Sequence, residues 1–119
     1  MRASARLCHI DELPEGEARG FDPLGEGRDT VFVVRRQGLH AYRNACPHWQ
    51  GAPMAWRKDA YLSGDGRYIV CHAHGARFEI ATGLCVLGPC VGESLVPVAL
   101  VQTTTGEIHL ADDNEETPV

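Results

Sequence analysis

Two short stretches of this 119-residue chain set thiol and imidazole side chains almost side by side. Residues 44–54, NACPHWQGAPM, hold Cys46 and His48 with one residue between them, and residues 70–79, VCHAHGARFE, hold Cys71 and His74 with two between them. Twenty-two residues separate His48 from Cys71. Both stretches read as turns, the first rich in glycine and proline and the second closing on Gly75. Thiolate sulfur and imidazole nitrogen are metal ligands, and together the two turns offer two of each. Three metal chemistries compete for such a set. A tetrahedral zinc of Cys2His2 type accepts these donors, but common zinc fingers pair cysteine with cysteine and histidine with histidine, and here each turn has one of each. An all-cysteine cluster would use Cys46, Cys71, Cys85 and Cys90. The Cys85-x4-Cys90 spacing resembles the start of the plant-type ferredoxin run, but Glu93 stands where that run needs its third cysteine, and His48 and His74 are left without a role. The third is a [2Fe–2S] cluster in which two histidines replace two cysteines on one iron.

The pattern C-x-H…C-x-x-H resembles the signature of the Rieske family. The likeness extends to Gly51 after the first pair, to Gly75 and Phe78 after the second, to the Thr82-Gly83 turn, and to Gly88-Pro89, which resembles the proline loop covering the cluster. It covers most of residues 30–110. The resemblance implies that Cys46 and Cys71 bind one iron and that His48 and His74 bind the other through Nδ1, leaving the second ring nitrogen near the surface as the electron exit. It selects His74 over His72 as the ligand. It also implies an all-β fold, a Rieske-like antiparallel β-sandwich with a small cluster-binding subdomain. Residues 1–111 would form the domain, about 44–90 the cluster-binding part, and 112–119 a flexible acidic tail.

Histidine ligation changes the redox chemistry through charge. Two ferric ions, two sulfides and two thiolates sum to zero with neutral imidazoles, whereas four thiolates leave a dianion. An electron enters the neutral centre more readily, so Rieske centres span about −150 to +300 mV against about −400 mV for plant-type ferredoxins. High-potential family members add a disulfide between the two loops, a serine hydroxyl on a bridging sulfide and a tyrosine hydroxyl on a ligand cysteine. The matching positions here are Gly51 and Ala73, Ala76, and Phe78, so all three features are missing. Hydroxyl donors to sulfur stabilise the reduced state, and their loss predicts a potential low in the Rieske range.

The elements that must position these turns read as short strands. Ala5–Ile10 is a candidate first strand. Residues 11–29, polar and rich in Gly and Pro, read as loop. Residues 30–44 read as a hairpin around Gln37-Gly38, and Tyr68–Cys71 as a strand entering the second Cys/His turn. Residues 76–87 read as a hairpin around Thr82-Gly83, and residues 95–111 as another turning at Thr105-Gly106. Residues 44–66 have no clean period, and a one-turn helix near Pro53–Arg57 is the only helix that fits. Many short strands with regular turn signals favour an all-β sandwich or barrel.

Bulk properties narrow the function. The length suits one domain. A net charge of −5 disfavours nucleic acid as a partner and suits a basic patch on another protein. No segment reaches the roughly 18 apolar residues that span a bilayer, and the N-terminal stretch lacks the apolar core of a secretory signal, so a cytoplasmic protein without a membrane partner is expected. Cys8, Cys85 and Cys90 read as small buried hydrophobes, a Cys85–Cys90 disulfide being disfavoured in a reducing cytosol. His9, His40 and His109 read as surface or packing residues. Trp49, Pro53, Met54 and Trp56 are candidates for shielding the cluster on one side, and Leu87, Gly88 and Pro89 on the other. No dinucleotide-binding fingerprint and no second iron set is visible. The resemblance therefore implies a soluble one-electron carrier, not an enzyme: a Rieske-type ferredoxin between a flavoprotein reductase and a terminal oxygenase. A small subunit of a nitrite reductase-type enzyme and a zinc-stabilised interaction module are the alternatives.

Overall fold

A computed structural model describes residues 3–23, 25–45, 54, 59–71 and 75–111. Cys46, His48, His72, His74 and the acidic tail lie outside the described residues, as does the expected helical turn near residue 55 apart from Met54. Among the described residues there are nine strands: β1 (Ala3–His9), β2 (Glu17–Phe21), β3 (Val31–Arg35), β4 (Leu39–Arg43), β5 (Tyr68–Cys71), β6 (Ala76–Glu79), β7 (Cys85–Leu87), β8 (Leu100–Gln102) and β9 (Glu107–Ala111). They pair antiparallel in three sheets of three, ordered β1-β9-β8, β2-β3-β4 and β5-β6-β7. The all-β expectation is met.

The sheet β2-β3-β4 serves two cores at once. Strand β3 reads Val31-Phe32-Val33-Val34 without polar alternation, because all four side chains are buried. Side chains alternate across a strand, so Val31 and Val33 face one way and Phe32 and Val34 the other. Val31 and Val33 join Cys8, Phe21, Ala41, Val98 and Ile108 in one core. Phe32 and Val34 join Tyr42, Tyr61, Ile69, Cys71 and Phe78 in the second core, which also takes in the β5-β6-β7 sheet. Phe32 stacks on Tyr61 at 4.3 Å between ring centres and lies 6.0 Å from Tyr42. The Tyr42 hydroxyl donates to the Ile80 carbonyl at 2.6 Å, tying β4 to the end of β6.

The expected turns are present. Gln37 and Gly38 both have positive φ, 52° and 115°, the conformation that tight hairpins require. The hairpin over residues 76–87 turns at Thr82-Gly83. Gly83 has φ +76°, and a Cβ there would lie 2.7 Å from the Tyr42 ring, so both backbone and packing demand glycine.

Two sequence expectations are corrected. Residues 11–29 are not all loop: a 3₁₀ turn spans Ile10–Glu12, and β2 pairs with β3 over five residues from Glu17↔Arg35 to Phe21↔Val31. Edge strands carry polar and glycine residues on their solvent side, which hid β2 behind its composition. Gly20 is needed within it, because a Cβ would meet the Tyr61 hydroxyl and the Asp29 carboxylate at 2.5 and 2.6 Å. The hairpin expected over residues 95–111 is also shorter, with strands only at Leu100–Gln102 and Glu107–Ala111. Residues 96–98 run along β4, where Arg43 N–H donates to Val96 O and Val98 N–H to Ala41 O, each at 2.9 Å.

Candidate metal centre

Cys71 ends β5 and is fully buried. Its placement follows from strand periodicity: Ile69 and Cys71 share a face, and Ala76, Phe78 and Ile80 line the facing row. All five belong to the same core cluster. Cys71 pairs in register with Ala76, and Gly75 closes the turn between them with φ +70° and an N–H bonded to the Cys71 carbonyl at 2.8 Å.

The segment that carries Cys46 and His48, the other two expected ligands, follows β4 in the chain, and Asn44 ties residue 54 back to the end of that strand. Asn44 is the one polar residue buried among the described residues. Its amide nitrogen donates to the Asp29 carbonyl at 2.9 Å, and its amide oxygen accepts the Met54 N–H at 2.7 Å. The Asn44 backbone N–H donates to Thr30 O at 2.9 Å. One side chain thus joins the two ends of the segment that carries Cys46 and His48. Sequence reasoning missed Asn44, since an asparagine after a strand reads equally well as a turn residue. Replacing Asn44 by alanine strands a buried N–H and a carbonyl, at a cost of about 1–3 kcal/mol for an unmet buried group. Thermal unfolding of Asn44→Ala should show a clearly lowered midpoint, with faster release of iron; unchanged values for both would mean that the brace carries no load.

Met54 is fully buried in the same core as Cys71. Ala76 and Phe78 are fully buried there too, so neither position places a hydroxyl beside Cys71. Gly88, with φ +108°, sits directly on β6: a Cβ there would lie 2.8 Å from Ala76 Cα. Gly88 makes this contact, while Leu87 is 56% exposed. Cys8, Cys85 and Cys90 are buried, and burial raises the thiol pKa of Cys8. His9 caps the 3₁₀ turn, with Nδ1 accepting the Asp11 N–H and Nε2 bonded to Thr105 O at 2.7 Å. Among the described residues no three His, Cys, Asp or Glu side chains converge as a metal site. Cys71, Cys85 and Cys90 are all described, so they do not supply three corners of an all-cysteine cluster.

The domain model for the Rieske [2Fe–2S] domain matches residues 4–111. The chain belongs to that family. It is 26% identical to the ferredoxin CarAc of Metapseudomonas resinovorans over 92% of this chain and 94% of that protein. It is 33% identical to the ferredoxin component of a naphthalene 1,2-dioxygenase system from Pseudomonas aeruginosa, over 66% of this chain and 67% of the relative. Among solved structures, the ferredoxin of carbazole 1,9a-dioxygenase from Nocardioides aromaticivorans IC177 superposes with a TM-score of 0.68 at 28% identity, covering 92% of this chain and 98% of that one. The Rieske membership removes the reading as a zinc module. The described part of the site fits the family's cluster: a fully buried thiol ends a strand at a hairpin tip, and apolar Ala76 and Phe78 share its core.

Proposed function

We propose that this chain is the Rieske ferredoxin of an oxygenase system, a carrier and not an enzyme, taking single electrons from a flavoprotein reductase and delivering them to a terminal oxygenase. The observation that carries this reading is the near full-length match with the ferredoxin CarAc and with the ferredoxin of carbazole 1,9a-dioxygenase, joined by a match over two thirds of the chain with the ferredoxin component of a naphthalene 1,2-dioxygenase system. Cys46 and Cys71 are the ligands of one iron and His48 and His74 of the other. When bound, the cluster supplies a one-electron couple. The protein's own residues anchor it, keep water from it and set its potential. Charge and composition suit a cytoplasmic carrier.

Reduction adds negative charge on the sulfurs, and donors directed at them stabilise that charge. With Ala76 and Phe78 in place of hydroxyl-bearing residues, the midpoint should fall below about 0 mV, in the lower part of the Rieske window. Phe78→Tyr keeps the ring and adds one donor beside Cys71, so a redox titration should show its midpoint moved upward. A strongly positive wild-type midpoint would overturn the assignment to the low-potential group.

Delivery to a partner needs a transient surface, and weak redox encounters bury less than about 1,200 Å². Beside Gly88, Leu87 and Val91 are 56% and 62% exposed, giving apolar contact next to the cluster-binding part. The net charge of −5 suits basic partners, with an encounter rate that falls as salt rises. The direct test is turnover. Holoprotein should be reduced by a flavoprotein ferredoxin reductase with nicotinamide as donor, and reoxidised by a terminal oxygenase, one electron per cluster. Instead, isolation only as a permanent subunit of a larger enzyme would refute the carrier reading.

A further inference from the structure

Cys85 and Cys90 lie outside the ligand set, yet their sulfurs are in contact. The Cys90 thiol donates to Cys85 Sγ at 3.1 Å, and the Cys85 thiol in turn faces the Leu87 carbonyl at 3.4 Å. The backbone already brings them together: Cys85 N–H bonds to Glu93 O at 2.8 Å, Glu93 N–H to Cys90 O at 2.9 Å and Gly92 N–H to Cys85 O at 3.3 Å. Both sulfurs are buried, but residues 86–89 and 91 around them are exposed. A small oxidant therefore meets this pair one residue beneath the surface. A disulfide bond is about 2.05 Å long, so closure needs a movement of roughly 1 Å. Gly88, between the two cysteines in the chain, rests on the backbone of Ala76 at the start of β6.

We propose that Cys85 and Cys90 form a reversible disulfide on exposure to hydrogen peroxide, fastening the start of β7 to the loop that follows that strand. One thiolate attacks a peroxide oxygen, the O–O bond breaks, and hydroxide leaves a sulfenic acid on sulfur. The second sulfur then attacks the sulfenic sulfur; the S–S bond forms, the S–O bond breaks, and water leaves. In total two thiols lose two protons and two electrons, and one peroxide becomes two waters. A dithiol reverses the step by exchange. Transient redox-sensing disulfides of this kind occur in cytosolic proteins, where permanent structural ones are rare.

The test uses holoprotein, at peroxide doses that leave the visible spectrum of its cluster in place, followed by denaturation, alkylation and trypsin. No Lys or Arg follows Arg77, so Cys85 and Cys90 share the peptide 78–119, whereas Cys8, Cys46 and Cys71 fall in three others. That peptide should lose both alkylation sites and two hydrogen masses, and should regain them after dithiothreitol. In Cys85→Ser and in Cys90→Ser, the remaining thiol should stop at a sulfenic acid that dimedone traps. Full alkylation of both thiols at every such dose would overturn the proposal, as would a lone sulfinic or sulfonic product or a link to another chain. If either variant fails to fold, the wild-type peptide decides alone. The outcome is independent of which proteins exchange electrons with the chain.

Discussion

His74→Ala and Cys71→Ser are each expected to yield protein without the visible and electron paramagnetic resonance signature of a Rieske cluster, and with no electron transfer. Alanine offers no donor atom. Serine offers oxygen where the iron–sulfur centre needs a thiolate, and at Cys71 that atom would sit at a fully buried strand end with no room to be replaced by water. His72→Ala is the control. His72 lies between the two residues proposed as ligands, and its loss should leave the spectrum in place. A surviving Rieske spectrum in His74→Ala, or its loss in His72→Ala, would overturn the choice of His74 over His72 as the imidazole ligand.

The second large effect is on stability, from Phe32→Ala. Phe32 is fully buried at the centre of the second core, stacked on Tyr61 at 4.3 Å and tilted against Tyr42 at 6.0 Å. Removing a buried phenylalanine ring costs about 3–5 kcal/mol through lost transfer energy and the cavity left behind. For a domain of this size each kcal/mol lowers the unfolding midpoint by about 4 °C, so a fall of more than roughly 10 °C is expected by calorimetry. The ring links the sheet β2-β3-β4 to the core that contains Cys71, so cluster retention should fall with it. A midpoint within about 2 °C of wild type would mean that the core collapses around the gap without loss.

Tyr61 gives the same region a second character. Burial pushes its phenol well above the usual range, and Asp29 and Asp59 add to the shift. The hydroxyl stays neutral and sits against Gly20, the one residue of β2 that leaves room for it. The polar residues of β2 and of the segment near residue 59 thus meet at one point, with Asp59 Oδ1 accepting the Gly20 N–H at 2.8 Å. Such a junction cannot be read along the chain, since Gly20 and Asp59 are 39 residues apart.

Legibility differed from element to element. Hairpin turns at Gln37-Gly38 and Thr82-Gly83 were legible because a positive φ restricts the residue type locally, and glycine announces it. Strand β3 was legible as apolar, but only the fold shows why it lacks alternation: it has a core on each side. Strand β2 was not legible, because an edge strand draws its order from its partner and not from its own propensity. Asn44 was invisible for a similar reason, as its importance lies in two bonds to residues 15 and 10 positions away.

By itself the sequence determined the donor types, their spacing, the family and the missing hydroxyls at Ala76 and Phe78, because ligand chemistry resides in side-chain identity and short-range order. The tertiary structure alone decided that Cys71 ends a strand in a fully buried position, that Asn44 ties residue 54 back to the end of β4, and that Cys85 and Cys90 touch at 3.1 Å. Those facts depend on which strands pair and which faces are covered. Pairing and coverage are settled by packing across the whole domain, a long-range energy that no local pattern contains.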